Sequence, residues 1–242
     1  LKHSYRIEQL IQAVPPSASV VDVGCDHGFV ALGLAARNDI QQVLATDISA
    51  ASLQKLRVVL PALPPAMRAK ITTCVADGLV GLPWEKADAV VIAGMGGSLL
   101  CRILAAPQVR GVWKRAQLIL LPHNDTDVVR RFLTEQRFII AEEQVFFDGG
   151  HYYELLCARP LAPGETGPVY TPAEWQYGIQ PIRRRDPALR AHLTQKVKTY
   201  RAILQNLPES SGRAQVRRQH LVQELDAARR LLSAMEPMDF LS

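Results

Sequence analysis

Ser19-Val20-Val21-Asp22-Val23-Gly24-Cys25-Asp26-His27-Gly28 is the stretch on which the fold turns. Its first five residues are apolar and β-branched apart from Ser19 and Asp22, the composition of a strand buried on both faces. Two glycines follow, and then an apolar segment that reads as a helix over residues 28–37. A strand, a glycine turn and a helix in that order let backbone approach a nucleotide-like ligand, with the helix N-terminus facing it. The glycine spacing is Gly24-x-x-x-Gly28, so the strict dinucleotide fingerprint is absent.

Outward from this unit the pattern repeats. An opening helix over 3–13 carries Ile7, Leu10, Ile11 and Val14 at helical spacing and stops at Pro15-Pro16. Further strands are expected at Val43–Thr46, Ile71–Val75, Ala89–Ala93, Leu118–Leu121, Ile139–Phe147 and Tyr152–Ala158. Helices are expected over 49–60, 97–106 and 125–136. Strands separated by helices pair in parallel, because a parallel pair needs a crossover. The last two strands are joined only by Asp148-Gly149-Gly150, a hairpin signal. The expected fold is α/β and Rossmann-like: a mostly parallel seven-stranded sheet with an antiparallel terminal hairpin, an arrangement common among class I methyltransferases, although the same elements could build other α/β folds.

After Pro160 the composition changes. Pro163, Gly164, Gly167 and Pro168 make a linker, and Thr171-Pro172-Ala173-Glu174 reads as a capping box. Leu189, Leu193, Val197, Tyr200, Leu204 and Leu207 then form one apolar seam. Leu221, Leu225, Ala228, Leu232 and Met235 form another, with a turn at Pro208–Gly212 between them. Two such seams predict a helical hairpin of coiled-coil type. Two domains are therefore expected, 1–160 and 161–242.

The 242 residues are 48% apolar and 21% charged, which excludes a disordered chain or a disulfide scaffold. The formal net charge is +5, yet residues 182–230 alone carry 12 Lys and Arg against 4 Asp and Glu. That concentration suits a polyanion, although a solvated helix surface carries similar charge. Cys25, Cys74, Cys101 and Cys157 are scattered without metal-ligand spacing, so reduced thiols, no metal and a cytoplasmic setting are expected. No apolar run has the length of a membrane span, and no signal peptide is evident.

Acidic residues close three successive strands: Asp22, Asp47 and Asp77-Gly78. Carboxylates at these places can accept from ribose hydroxyls and from an adenine amino group, so an adenosine-bearing cofactor is expected across the switch point. Asp22, Gly24, Cys25, Gly28, Asp47, Ile48, Asp77, Gly78, Ala93, Gly94 and Met95 are its candidate contacts. Of the two candidates, NAD would place its pyrophosphate beside Asp26, whereas S-adenosylmethionine is cationic and tolerates carboxylates; the latter is favoured. Asp26 also suits a helix cap, a role compatible with the first. Gly96 and Gly97 extend the fourth turn, and Leu121-Pro122-His123-Asn124-Asp125 closes the fifth strand, where Asn124 or Asp125 can equally cap the next helix.

Asp22-x-Gly24-x-Asp26-His27-Gly28, Ala93-Gly94-Met95-Gly96-Gly97 and Asp148-Gly149-x-x-Tyr152-x-Glu154-Leu155-Leu156 resemble the bacterial TrmK-type tRNA (adenine-22-N1)-methyltransferase family. The resemblance covers nearly the whole chain. Two places depart from it: His123 stands between Pro122 and Asn124 where the family has Gln-Pro-Asn, and Asp47 replaces a frequent Glu. It implies methyl transfer from S-adenosylmethionine to N1 of an adenine in tRNA. On that reading Asp26 and His27 lie beside the reacting centre and Asn124 orients the base. Gly96, Gly97, Tyr152 and Arg6 are candidate substrate contacts, with core and surface roles open for the last two. Arg183, Arg184, Arg185, Arg217 and Arg218 would grip phosphates, or the hairpin would serve packing or dimerisation, leaving monomer and dimer both open. A small-molecule methyltransferase and a non-catalytic RNA-binding protein are the competing readings.

Overall fold

A computed structural model describes residues 4–207 and 212–236. The expected turn at Pro208–Gly212 falls, but for its last residue, outside them. The chain divides into two compact units, one reaching Gln144 and resuming at Asp148–Val169, the other made of Val145–Phe147 and the residues from Tyr170 onward.

The first unit alternates helices and strands: α1 Tyr5–Ala13, β1 Ser17–Val23, α2 Phe29–Ala36, β2 Ile40–Asp47, α3 Ala50–Val59, a short α4 Pro65–Arg68 and β3 Ile71–Val75. It continues through β4 Ala89–Met95, α5 Gly97–Ala105, a short α6 Arg110–Trp113, β5 Gln117–Pro122, α7 Thr126–Glu135, β6 Phe138–Asp148 and β7 His151–Pro160. The sheet order is β3-β2-β1-β4-β5-β7-β6. β1 pairs in parallel with both β2 and β4, and the order reverses between them. A crevice must open there, at the carboxyl edge. β7 runs antiparallel to β5.

Burial explains the strand sequences. Val20, Val21, Val90, Val91, Ile92, Leu118 and Leu120 are 0% exposed, so both faces of the central strands are covered. Helix α2 is buried from Val30 through Ala35 and packs on α1 and β2. Its C-cap Arg37 then ties α1 in place, donating from Nη1 to the carbonyls of Ile11 and Val14 at 2.6 Å each while pairing with Asp39. Those carbonyls end a helix and would otherwise lack partners. Ser4 caps the other end, its Oγ accepting from the Ile7 N–H. Inside the terminal hairpin, buried Arg130 on α7 reaches Glu143 on β6 at 2.8 Å and Glu154 on β7 at 2.6 Å.

In the second unit α8 Pro172–Tyr177 opens with the expected capping box, Thr171 and Glu174 bonding reciprocally. α9 Ile179–Arg183 follows, then α10 Pro187–Asn206 and α11 Gly212–Ala234. Asp186 caps α10 through the N–H groups of Ala188 and Leu189. α10 and α11 pack together, burying Leu189, Leu193 and Val197 on one and Leu225, Ala228, Leu231 and Met235 on the other. The seam passes through Leu231 rather than the expected Leu232, which is only half-buried. Tyr177, 2% exposed, sits under Lys196.

Candidate cofactor and substrate site

Strand β1 delivers Asp22 to the crevice. The residue is 3% exposed, and the Ala31 N–H donates to its carboxylate, but Oδ2 has no hydrogen-bond partner among the described residues. Burial, with Asp47 adding to it, pushes this carboxyl up to about 7. Such a group is stable as an anion only if a cation meets it. Cys25 follows in the loop; burial and the neighbouring Asp22, Asp47 and Asp26 raise its thiol far above the ordinary range, so it is no nucleophile.

The loop is held from β2. Gly24 and Cys25 donate to the Thr46 carbonyl at 2.8 and 2.9 Å, and the Asp26 N–H donates to Asp47 Oδ2 at 3.1 Å. Asp47 Oδ1 accepts from Ser49, which itself caps α3. Gly24 adopts φ +71°, and a Cβ there would strike Met95. Gly28, at φ +72°, is the N-cap of α2, so Asp26 is not the helix cap that its residue type also suggested.

Two cavities flank the carboxyl edge and share Gly24, Ala93 and Gly94. One, of about 270 Å³, is lined by Asp47, Ile48, Asp77, Gly78, Met95, Leu99 and Ile103 among others. The other, of about 340 Å³, is lined by Arg6, Asp22, Cys25, Asp26, His27, Phe29 and His123 among others. The first offers carboxylates beside apolar walls, as an adenosine requires. The second offers a buried anion at one place and imidazoles and aromatic surface at others.

Around the second cavity Lys55 of α3 donates to Asp26 Oδ1 at 2.9 Å and lies 3.2 Å from His27 Nε2. His27 stacks on Phe29 with ring centroids 5.5 Å apart and an angle of 14°. Arg6 lies over the Tyr153 ring at 5.2 Å and donates to its hydroxyl at 3.2 Å, while its own N–H donates to Asp148. His123 tilts against the same tyrosine at 6.3 Å.

Several expected site residues stand elsewhere. Asn124 lines neither cavity; its carbonyl accepts from Gly97 and its side chain covers Gly96. Gly97 is buried, and a Cβ there would lie 2.5 Å from the Asp125 carbonyl, so packing against the β5 turn explains it. Asp125 occupies the N-cap of α7 at φ 53° without capping it, and bonds Ser98 instead. Tyr152 lines neither cavity, whereas Tyr153 supports Arg6 and His123. Arg183, Arg184, Arg185, Arg217 and Arg218 belong to the second unit, Arg218 half-buried and the others exposed. Sequence reasoning missed Lys55, Phe29 and Tyr153. Only Tyr153 had a signal, since alternation along β7 allows one of two adjacent tyrosines on a given face. Among the described residues no cluster of metal-binding side chains occurs, and no helix is long and apolar enough to cross a membrane.

A methyltransferase-domain family matches residues 3–156. The tRNA (adenine(22)-N(1))-methyltransferase of Bacillus subtilis is 28% identical over 159 residues, 66% of each protein, so the match spans about two thirds of that relative's length. The crystal structure of Streptococcus pneumoniae Sp1610, a candidate tRNA (m1A22) methyltransferase, has a TM-score of 0.81 at 25% identity, covering 96% of this chain and 100% of its own. The same protein solved with S-adenosyl-L-methionine gives a TM-score of 0.79 at 24% identity over the same shares. A domain match over more than half the chain means that the chain belongs to the methyltransferase-domain family, and within it the chain is similar to proteins of the TrmK type.

Proposed function

We propose that this chain transfers a methyl group from S-adenosylmethionine to N1 of adenine 22 in tRNA. The observation that carries the cofactor reading is Asp22 Oδ2, a buried carboxylate oxygen without a donor among the described residues, beside a cavity that shares Gly24, Ala93 and Gly94 with an adenosine-sized one. An α-ammonium group is the donor it lacks. A dinucleotide would bring a pyrophosphate to the same loop, where Asp22, Asp26 and Asp47 repel it. Asp47 is suited to ribose hydroxyls and Asp77 to the adenine amino group, with Ile48, Leu99 and Ile103 as apolar walls. Gly78 permits this closeness: at φ +61° it packs under Ile103, where a Cβ would come within 2.7 Å.

S-Adenosylmethionine supplies a methyl group on a sulfonium, whose S–C bond breaks as the N1–C bond forms, moving the positive charge to the base. Adenine N1 has an in-plane lone pair, so the chain's own task is positioning rather than proton removal. Asp26, held by Lys55, puts negative charge near the cavity in which the base becomes cationic. His27 and Phe29, each about half exposed and stacked on one another, offer a surface for an unpaired base. N1 lies on the Watson–Crick edge, so the base must leave its stack.

The tRNA reading rests on the relatives and on charge. The exposed arginines of the second unit suit phosphates, which position RNA without reading it. We accordingly take residues 1–160 as the methyltransferase domain and 161–242 as the RNA-gripping one. Incubation of the chain with labelled S-adenosylmethionine and unmodified tRNA should label transcripts with adenine at position 22 and spare copies carrying guanine there. Equal labelling would sink the positional reading. Calorimetry showing NAD binding but no S-adenosylmethionine binding would sink the cofactor.

A further inference from the structure

We propose that His123 reads the exocyclic amino group of the target adenine and so sets base specificity; the inference rests on the adenine-N1 reaction argued above. Four side chains lining the larger cavity carry acceptors: Asp22, Asp26, His27 and His123. Asp22 lies buried where the cofactor's ammonium is needed. Asp26 and His27 are engaged with Lys55 and with one another, the last pair at 3.5 Å. The His123 ring has no hydrogen bond to any described residue, so its acceptor is uncommitted and faces the cavity.

The backbone puts it there. The β4–β5 pairing slips between Ala93 and Met95, and Gly94 at the slip adopts φ +75°. A bulge re-aims the residues beside it. Here it leaves the His123 N–H donating to the Met95 carbonyl at 2.8 Å and the ring beside Gly94. The atom nearest to a Cβ built on Gly94 is His123 Nε2, at 3.8 Å, so the absent side chain leaves this nitrogen open to the cavity. Tyr153, itself held by Arg6, supports the ring from the side.

Adenine carries its amino group next to N1. A neutral imidazole nitrogen accepts one N6–H, and guanine would present a carbonyl oxygen to the same lone pair. As N1 is methylated the base gains positive charge and its amino hydrogens become better donors. The interaction is therefore strongest in the transition state and acts on kcat as well as on binding.

The test compares tRNA carrying adenine at position 22 with tRNA carrying purine, which lacks the amino group, for the wild type and for His123→Phe. Substitution should lower kcat/KM on adenine by about tenfold, the loss expected when one hydrogen bond to the bound base is removed. It should change the purine reaction by less than about twofold, and cofactor affinity and melting temperature should be kept. His123→Gln, whose amide oxygen accepts, should recover part of the adenine preference. Equal losses on both substrates would overturn the specificity role while leaving the proposed reaction intact. A wild type that methylates neither tRNA would overturn the reaction itself and this inference with it.

Discussion

The carboxyl edge of the sheet and the basic helices of the second unit handle charge in opposite ways. At the edge, a few carboxylates are fixed by backbone and burial: Asp22 is 3% exposed, and Asp47 commits one oxygen to the Asp26 N–H and the other to Ser49. In the second unit, Arg183 at the end of α9 and Arg184 and Arg185 in the turn after it stand exposed, and Arg183 approaches Glu174 only to 3.9 Å. A buried charge has one suitable partner and a large cost without it; an exposed one has water as an alternative and exchanges for its neighbours. Substitutions should therefore act steeply in the first unit and by small increments in the second.

The steepest case lies away from the cavities. Arg130 holds Glu143 and Glu154 on adjacent strands, and the two carboxylates outweigh burial in keeping its guanidinium charged. Arg130→Met removes the guanidinium with which both buried carboxylates pair. The loss should be about 3–5 kcal/mol of folding stability, measured by urea denaturation. A loss below about 1 kcal/mol would show that this network is as replaceable as a surface pair.

Asp22→Asn comes next and separates binding from stability. S-Adenosylmethionine affinity at pH 8 should fall by about a hundredfold, since the variant takes a charged partner out of a buried site. Apo stability should move the other way. The native carboxyl titrates at about 7, above its value near 3.8 in the unfolded chain. Between those values the native state keeps a proton that the unfolded state has released, so this residue's contribution to stability declines as pH rises through the window. Asparagine removes that penalty. Relative to wild type, the apo variant should gain melting temperature between pH 5 and pH 8, by about 2–4 °C for each kcal/mol removed. A pH-independent difference would show that Asp22 finds a donor in solution.

The same contrast explains what could be read in advance. Strands, crossovers and the acidic strand ends follow from local pattern, so the sheet, Asp22 and the Asp47 and Asp77 positions were legible. Lys55 was not, because its pairing with Asp26 joins α3 to the β1–α2 loop and no spacing encodes it. Asn124 looked like the polar residue of the fifth turn, yet His123, tied by its N–H to the Met95 carbonyl, lines the cavity instead. The bulge at Gly94 that sets this neighbouring turn is equally hidden, because sequence patterns seldom reveal a bulge. On α11 the basic residues were legible in composition alone, which is all that an exposed, exchangeable surface requires.

Graded effects should appear in the second unit. Replacing Arg183, Arg184 and Arg185 together by alanine should weaken tRNA binding by about tenfold at low salt, with S-adenosylmethionine affinity unchanged. Each phosphate neutralised adds about 0.7–0.9 to the slope of log affinity against log salt. The triple variant should therefore show a slope shallower by about 2–3 if all three arginines engage phosphates.

The smallest expected effect is the most discriminating. Arg217→Ala alone should change tRNA affinity by only about twofold, because neighbouring cations take over much of the counterion release that one residue supplies. A tenfold loss from this one exposed residue would mean that it makes a specific, desolvated contact, and the helices would then resemble the sheet edge in how they use charge. Running the same variant at high salt decides between the two. Screening over the Debye length of about 3 Å at 1 M abolishes a diffuse contribution and spares a contact from which water is excluded. Convergence of variant and wild type at high salt is the outcome that a surface of interchangeable charges requires.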